Sequence, residues 1–264
     1  MRARLVIAGL MVCALALLPG SASAVVGGQP DTSHPYVGML AFGTPPHTTI
    51  CSGTLLSPTV MLTAAHCFAG AGEGVHVRVY FGSTAGASGG PFDGTYYFDQ
   101  NFAGLGNGIP HADTHDVAVV IFGPDEIPDS AHGGAYGALP TLGLVDTLRN
   151  NAPIDLVGYG VSDFARGGGQ PAQIFTAMRL FAQTTLIASN DAISGEFAKL
   201  HNGSCFGDSG GPDLLGGSNI VLAENSFLNN SVCAGNTYSY RIDTSQALTW
   251  ITTTVAAQGG SLSH

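Results

Sequence analysis

The chain has 264 residues, 38 of them Gly and only 10% charged, with 8 Lys and Arg against 18 Asp and Glu, a formal net charge of −10 at pH 7. An acidic chain this poor in cations excludes nucleic acid and anionic membrane surfaces as partners. The length leaves room for one large β fold or two domains of about 100 to 120 residues, and either can bury a sizeable core.

Arg2 and Arg4 precede an uncharged run from Leu5 to Leu18, followed by Pro19-Gly20 and by Ser21-Ala22-Ser23-Ala24, with small residues where a signal peptidase reads. Residues 1–24 are therefore expected to be a secretory signal peptide. The apolar run is shorter than the ~20 residues that cross a bilayer, and Cys13 lies inside it, not at a lipid-attachment position. Cleavage after Ala24 removes both arginines and takes the formal charge from −10 to −12. The mature chain is expected to be a secreted, soluble monomer with no membrane contact.

Downstream, short apolar segments alternate with Gly, Pro, Asn and Ser. Strands are expected at Tyr36 to Phe42, Ser52 to Leu56, Val60 to Thr63, Val75 to Phe81, Val117 to Phe122, Ile154 to Val157 and Ile220 to Ala223. Gly-rich loops are expected from Gly82 to Gly94 and from Arg166 to Gly169. The stretch from Gly123 to Asn151 carries few motifs and reads as the crossover between two halves. Residues Ser245 to Ala257 predict a terminal helix with Ser245 as its cap, weakened by three consecutive Thr. The pattern is all-β, and no internal sequence repeat is evident.

Chemistry concentrates at Gly207-Asp208-Ser209-Gly210-Gly211-Pro212. Glycines permit a tight turn that leaves backbone N–H groups facing open space beside the Ser, as a nucleophile needs when an oxyanion forms next to it. A nucleophilic Ser requires a base, and the base requires a third group to hold its tautomer. Thr63-Ala64-Ala65-His66-Cys67 offers the base. Asp116 offers the third group, at the mouth of the apolar run Val117 to Phe122, where an unpaired carboxylate would be expensive and an imidazole N–H would satisfy it.

The order His66, Asp116, Ser209 and the three local sequences resemble the trypsin/chymotrypsin family of serine endopeptidases. The resemblance extends over nearly the whole mature chain. Cys51-Ser52-Gly53-Thr54-Leu55-Leu56-Ser57-Pro58 is similar to the family's strands ahead of the His motif, Leu156-Val157-Gly158-Tyr159-Gly160 to its Gly-aromatic-Gly strand, and Ala247-Leu248-Thr249-Trp250-Ile251 to its closing helix. It implies two antiparallel six-stranded Greek-key β-barrels with a C-terminal helix. The first, residues 25–135, would carry His66 and Asp116; the second, residues 136–264, would carry Ser209 and the substrate pocket.

The same resemblance implies the site. Ser209 would attack a peptide carbonyl, His66 would take and return the proton, Asp116 would orient the imidazole, and the Gly207 and Ser209 amides would hold the oxyanion. Ser226 resembles the Ser that supports the triad Asp and opens the strand beside the substrate. The pocket would comprise Gly203, Ser204, Phe206, Ser226 and Leu228. Gly203 stands where members cutting after Arg or Lys carry an Asp, so cleavage after neutral, small or apolar residues is expected; Leu228 replaces a common Gly, and Thr237-Tyr238 falls near a second wall position.

Four cysteines remain in the mature chain. An even number in an oxidising compartment points to two disulfides, with three connectivities open. The resemblance selects Cys51–Cys67 and Cys205–Cys233. It also makes Val25-Val26-Gly27-Gly28 a mature N-terminus whose α-amino group pairs with Asp208, an arrangement that would be completed by signal cleavage itself and lost at strongly alkaline pH.

Other features carry less. His111 and His115 stand four apart, but Pro110 and the following strand argue against a helical metal site, Glu73 is too isolated for calcium, and no C-x2-C pair suggests zinc; no metal and no cofactor are expected. Asp113 competes with Asp116 for the triad role but does not abut the strand. Asn202-Gly203-Ser204 and Asn229-Asn230-Ser231 match glycosylation acceptors. Protein or peptide substrates are the expected partners, the alternatives being a non-catalytic secreted binding relative or an esterase using the same three residues.

Overall fold

A computed structural model describes residues 25, 27–45, 47–105, 113–123, 127–165, 171–187 and 195–262. The signal segment, His111 and the Arg166–Gly169 loop lie outside the described residues. Fifteen strands are assigned: β1 Gln29–Pro30, β2 Val37–Thr44, β3 His47–Ser57, β4 Val60–Thr63, β5 Val75–Tyr80, β6 Phe92–Phe98, β7 Ala118–Ile121, β8 Pro153–Gly158, β9 Asp163–Ala165, β10 Ala172–Ile174, β11 Leu180–Ile187, β12 Phe197–Leu200, β13 Pro212–Leu215, β14 Val221–Leu228 and β15 Thr237–Arg241. Among the described residues, two α-helices, α1 Asp129–His132 and α2 Ser245–Ala257, and three short 3-10 turns accompany these strands.

The expected two-barrel architecture is present. Strands β2-β3-β4-β7-β6-β5 close into one antiparallel barrel. Strands β8-β11-β12-β15-β14-β13 close into another through the β11–β8 pairing. Taken in chain order the six strands of each barrel follow the same circuit, first-second-third-sixth-fifth-fourth, so the halves repeat in topology without repeating in sequence. Closure leaves the paired barrel strands without a free edge, which disposes of the aggregation hazard of an open sheet. The first barrel is filled by Val37, Leu40, Leu55, Met61, Leu62, Val77, Val79, Tyr96 and Val119, and the second by Val25, Ile154, Leu156, Leu180, Ala198, Leu200 and Leu222.

The chain ends cross over between barrels. Strand β1 pairs with β11, which places the N-terminal arm on the second barrel. Arg179 fixes that arm: its Nε donates to Asp31 Oδ2 at 2.7 Å, with both side chains buried. Helix α2 in turn lies against β7 of the first barrel, and beyond it the Ser261 amide donates to Thr59 Oγ1 at 3.2 Å. Thr244, not Ser245, caps this helix, accepting from the Ala247 amide at 3.1 Å. The expected Gly82–Gly94 loop is shorter than its glycines suggest. Gly94 belongs to β6, where a side chain would collide with Val120 and Phe122 on the neighbouring strand and its turn.

Candidate active site

His66 sits in a 3-10 turn, Ala65–Cys67, directly after β4. The Cys51–Cys67 disulfide ties that turn back to β3. Tyr96, wholly buried, directs its hydroxyl at the Ala64 and Ala65 carbonyls, 2.9 and 2.7 Å away. The turn is thereby held from two sides before the imidazole meets anything.

Asp116 lies just ahead of β7 and is completely buried. One carboxylate oxygen accepts the His66 backbone N–H at 2.8 Å; the other lies 2.9 Å from His66 Nδ1 and also accepts the Ser226 hydroxyl from β14. Burial alone would push this carboxyl up, but the His66 charge and hydrogen bonds and the Ser226 hydroxyl together hold it below the usual carboxylate range. A carboxylate that stays ionised can only accept, so Nδ1 carries the proton and Nε2 is left as the basic nitrogen. His66 keeps part of its ring open, with 18% of the side chain exposed.

Ser209 lines the same cleft as His66. The nucleophile loop owes its shape to contacts from both barrels. Ser52 of β3 donates its hydroxyl to the Gly207 carbonyl and accepts the Tyr159 amide, each at 2.9 Å, while its own amide donates to the Ser209 carbonyl at 2.8 Å. Gly207 and Gly210 adopt φ of +96° and +74°, and a Cβ on Gly210 would land on Thr63 Oγ1. Neither the Gly207 nor the Ser209 backbone N–H has a partner among the described residues. Two free donors beside a cleft-lining hydroxyl are the arrangement that stabilises a developing oxyanion.

Behind the loop, Asp208 is buried without exposure and accepts from the Gly160 and Cys205 amides at 2.8 and 2.9 Å. Burial pushes its carboxyl up to about 7 against the opposing pull of those two amides. Side chains at Gly158 or Gly160 would occupy the space of this carboxyl. The Val25 backbone N–H donates to the Gly203 carbonyl at 3.1 Å, and the side chain is buried in the second core. Two further acids escaped sequence reading. Asp213 and Glu224 are buried on β13 and β14, and none of their carboxylate oxygens has a hydrogen-bond partner among the described residues. Burial pushes Asp213 up to about 8 and Glu224 well above the carboxylate range.

The cleft, ≈ 230 Å³, is lined by Ser204, Phe206, Ser226 and Leu228 as expected, and also by Leu105, Asn225 and Phe227. Gly203 packs against Thr237, whose Oγ1 stands where a Cβ on residue 203 would begin. Tyr238 stacks on the cleft-lining Phe227 with centroids 4.9 Å apart. The Cys205–Cys233 disulfide joins the nucleophile loop to the pocket wall, as the resemblance implied. Asp113 is not a triad member; it accepts the His115 amide at 2.8 Å and the Tyr240 hydroxyl at 2.9 Å.

Comparison with known proteins agrees with this architecture. HL collagenase superposes with a TM-score of 0.66 at 21% identity, covering 88% of this chain and 98% of its own. A mutant of human heparin binding protein (CAP37) gives a TM-score of 0.62 at 17% identity, covering 89% and 98% respectively. At such identities the likeness speaks for the fold. The family model Trypsin matches residues 25–251. With a match over most of its length, and with His66, held by the buried Asp116, lining the same cleft as Ser209, the chain belongs to the trypsin family.

Proposed function

We propose that the mature chain is a secreted serine endopeptidase. The observation that carries this reading is Ser209 on one cleft with an imidazole whose Nδ1 is fixed by a buried, ionised Asp116. His66 Nε2 takes the Ser209 proton as the hydroxyl attacks the carbonyl, then returns it to the leaving amine; Asp116 holds the ring and offsets the imidazolium charge. The Gly207 and Ser209 amides stabilise the tetrahedral oxyanion, a contribution of about 3 kcal/mol per donor in comparable enzymes. Residues 25–135 supply base and orienting acid, residues 136–264 supply nucleophile and pocket, and neither metal nor cofactor takes part. One structural neighbour is a heparin binding protein. A chain of net charge −12 after signal removal suits polyanions poorly.

The pocket reading favours neutral side chains before the scissile bond. Among the described residues the lining is largely Leu, Phe, Ser and Asn, with no carboxylate to pair a cation. Cleavage after Ala24 would convert the Val25 amide to an ammonium, and Asp208 is the buried acid that would take it. Activity on casein and on peptides presenting Ala, Leu, Phe or Arg, beside a Ser209→Ala control and a small ester, tests the activity. Hydrolysis of Leu or Ala peptides over Arg peptides is expected; no peptide hydrolysis, or clear Arg preference, refutes activity or specificity respectively. One extra residue before Val25 is expected to abolish most turnover, and full turnover would refute the ion pair.

A further inference from the structure

The residue ahead of the orienting acid is unusual in backbone and in company. His115 adopts φ +54°, in the left-handed region that costs a non-glycine residue roughly 1–2 kcal/mol. Its carbonyl accepts the Val117 amide at 2.9 Å, so Asp116 occupies the centre of a three-residue turn. That turn aims the buried carboxylate at His66. Nothing in Asp116 itself holds the turn, since its side chain is committed to His66 and Ser226.

The His115 side chain supplies the hold. Its Nδ1 lies 2.9 Å from Asp99 Oδ2, just past the end of β6, and Asp99 in turn donates its amide to the Val117 carbonyl at 3.0 Å. Its own amide donates to Asp113 Oδ1 at 2.8 Å. Asp113 also accepts Tyr240 Oη from β15 and the Gln246 side-chain amide from α2. Thus Asp99 of the first barrel, Tyr240 of the second and Gln246 of the terminal helix converge on a single turn.

We infer that His115 is a positioning residue for Asp116, fixing the triad acid through a clamp of Asp99, Asp113 and Gln246. The inference rests on the proteolytic reading of the site. His115→Ala removes the ring and keeps the awkward backbone, while His115→Asn retains a donor and tolerates the left-handed region. Against a peptide substrate, with active sites titrated by an organophosphate, His115→Ala is expected to lower kcat ~10- to 100-fold with KM unchanged, and His115→Asn to recover most of it. The low-field proton resonance of His66 Nδ1–H, which needs no turnover, should weaken in the Ala variant and return in the Asn variant. Gln246→Ala, on the exposed side of α2, is expected to fold normally and shift both readouts in the same direction by less. Unchanged kcat and resonance in His115→Ala, equal losses in the Ala and Asn variants, or no effect of Gln246→Ala overturn the inference. Absence of peptide hydrolysis by the unaltered chain would refute the proteolytic reading and leave the resonance to judge the clamp.

Discussion

Asp213 gives the protein a pH-dependent weakness whose size follows from burial. The residue is 1% exposed on β13 between β8 and β14; Ser239 and Asn225 lie near enough to ease the burial of its carboxyl, but neither makes a well-formed hydrogen bond to it. In the unfolded chain such a group ionises near ~3.9; in the fold, burial pushes it up to about 8, with the nearby Asp208 charge acting in the same direction. A raised carboxyl contributes stability that is whole below the unfolded value and is lost as pH climbs toward the folded one. Each intervening unit costs about 1.4 kcal/mol, so roughly 4 kcal/mol disappears between pH ~4.5 and ~7.5. Asp213→Asn keeps the volume and removes the titration. Denaturant unfolding with disulfides intact, in a Ser209→Ala background that cannot digest itself, should show the Asn variant gaining on its parent by ~4 kcal/mol across that interval. A stability difference that stays constant with pH, or widens in favour of Asp, would refute the reasoning.

Two other outcomes follow from the crossed-over chain ends. Arg179→Ala removes one of the two side chains that, burial notwithstanding, hold the carboxyl of Asp31 down to about 2, leaving His34 and the Ser33 and His34 amides as its partners; the denaturant midpoint should report a loss of about 1.5–3 kcal/mol at neutral pH. Thr244→Ala should cost about 1 kcal/mol by thermal unfolding while Ser245→Ala costs little, because only the Thr244 hydroxyl receives an amide of α2.

The residues of the site were readable because each chemical group sits in a short local context. Glycines flank Ser209, small residues flank His66, and a β-branched run follows Asp116. Strands whose interiors are apolar, β2 to β5 and β7, were readable for the same reason. Strand β15 was not: Thr237-Tyr238-Ser239-Tyr240-Arg241 is buried at every position yet half polar. Strand β13 hid behind Asp213, since a buried acid reads as surface in a linear pattern. The packing of Thr237 on Gly203 was not readable, because the two are remote in the chain and meet only through the β12–β15 pairing. His115 was weighed as a metal ligand and set aside, and its partners Asp99, Tyr240 and Gln246 meet it only once both barrels and the terminal helix are in place.

Ser52 carries a consequence for the lifetime of the molecule. On the proposed reading as an endopeptidase, partly opened copies of the chain would present cleavable strands. Because the hydroxyl and amide that shape the nucleophile loop come from the opposite barrel, parting the barrels dismantles the oxyanion site as it exposes those strands. On that reading a damaged copy would become a substrate at the step where it loses its own nucleophile loop, and self-digestion would be confined to attack by intact copies.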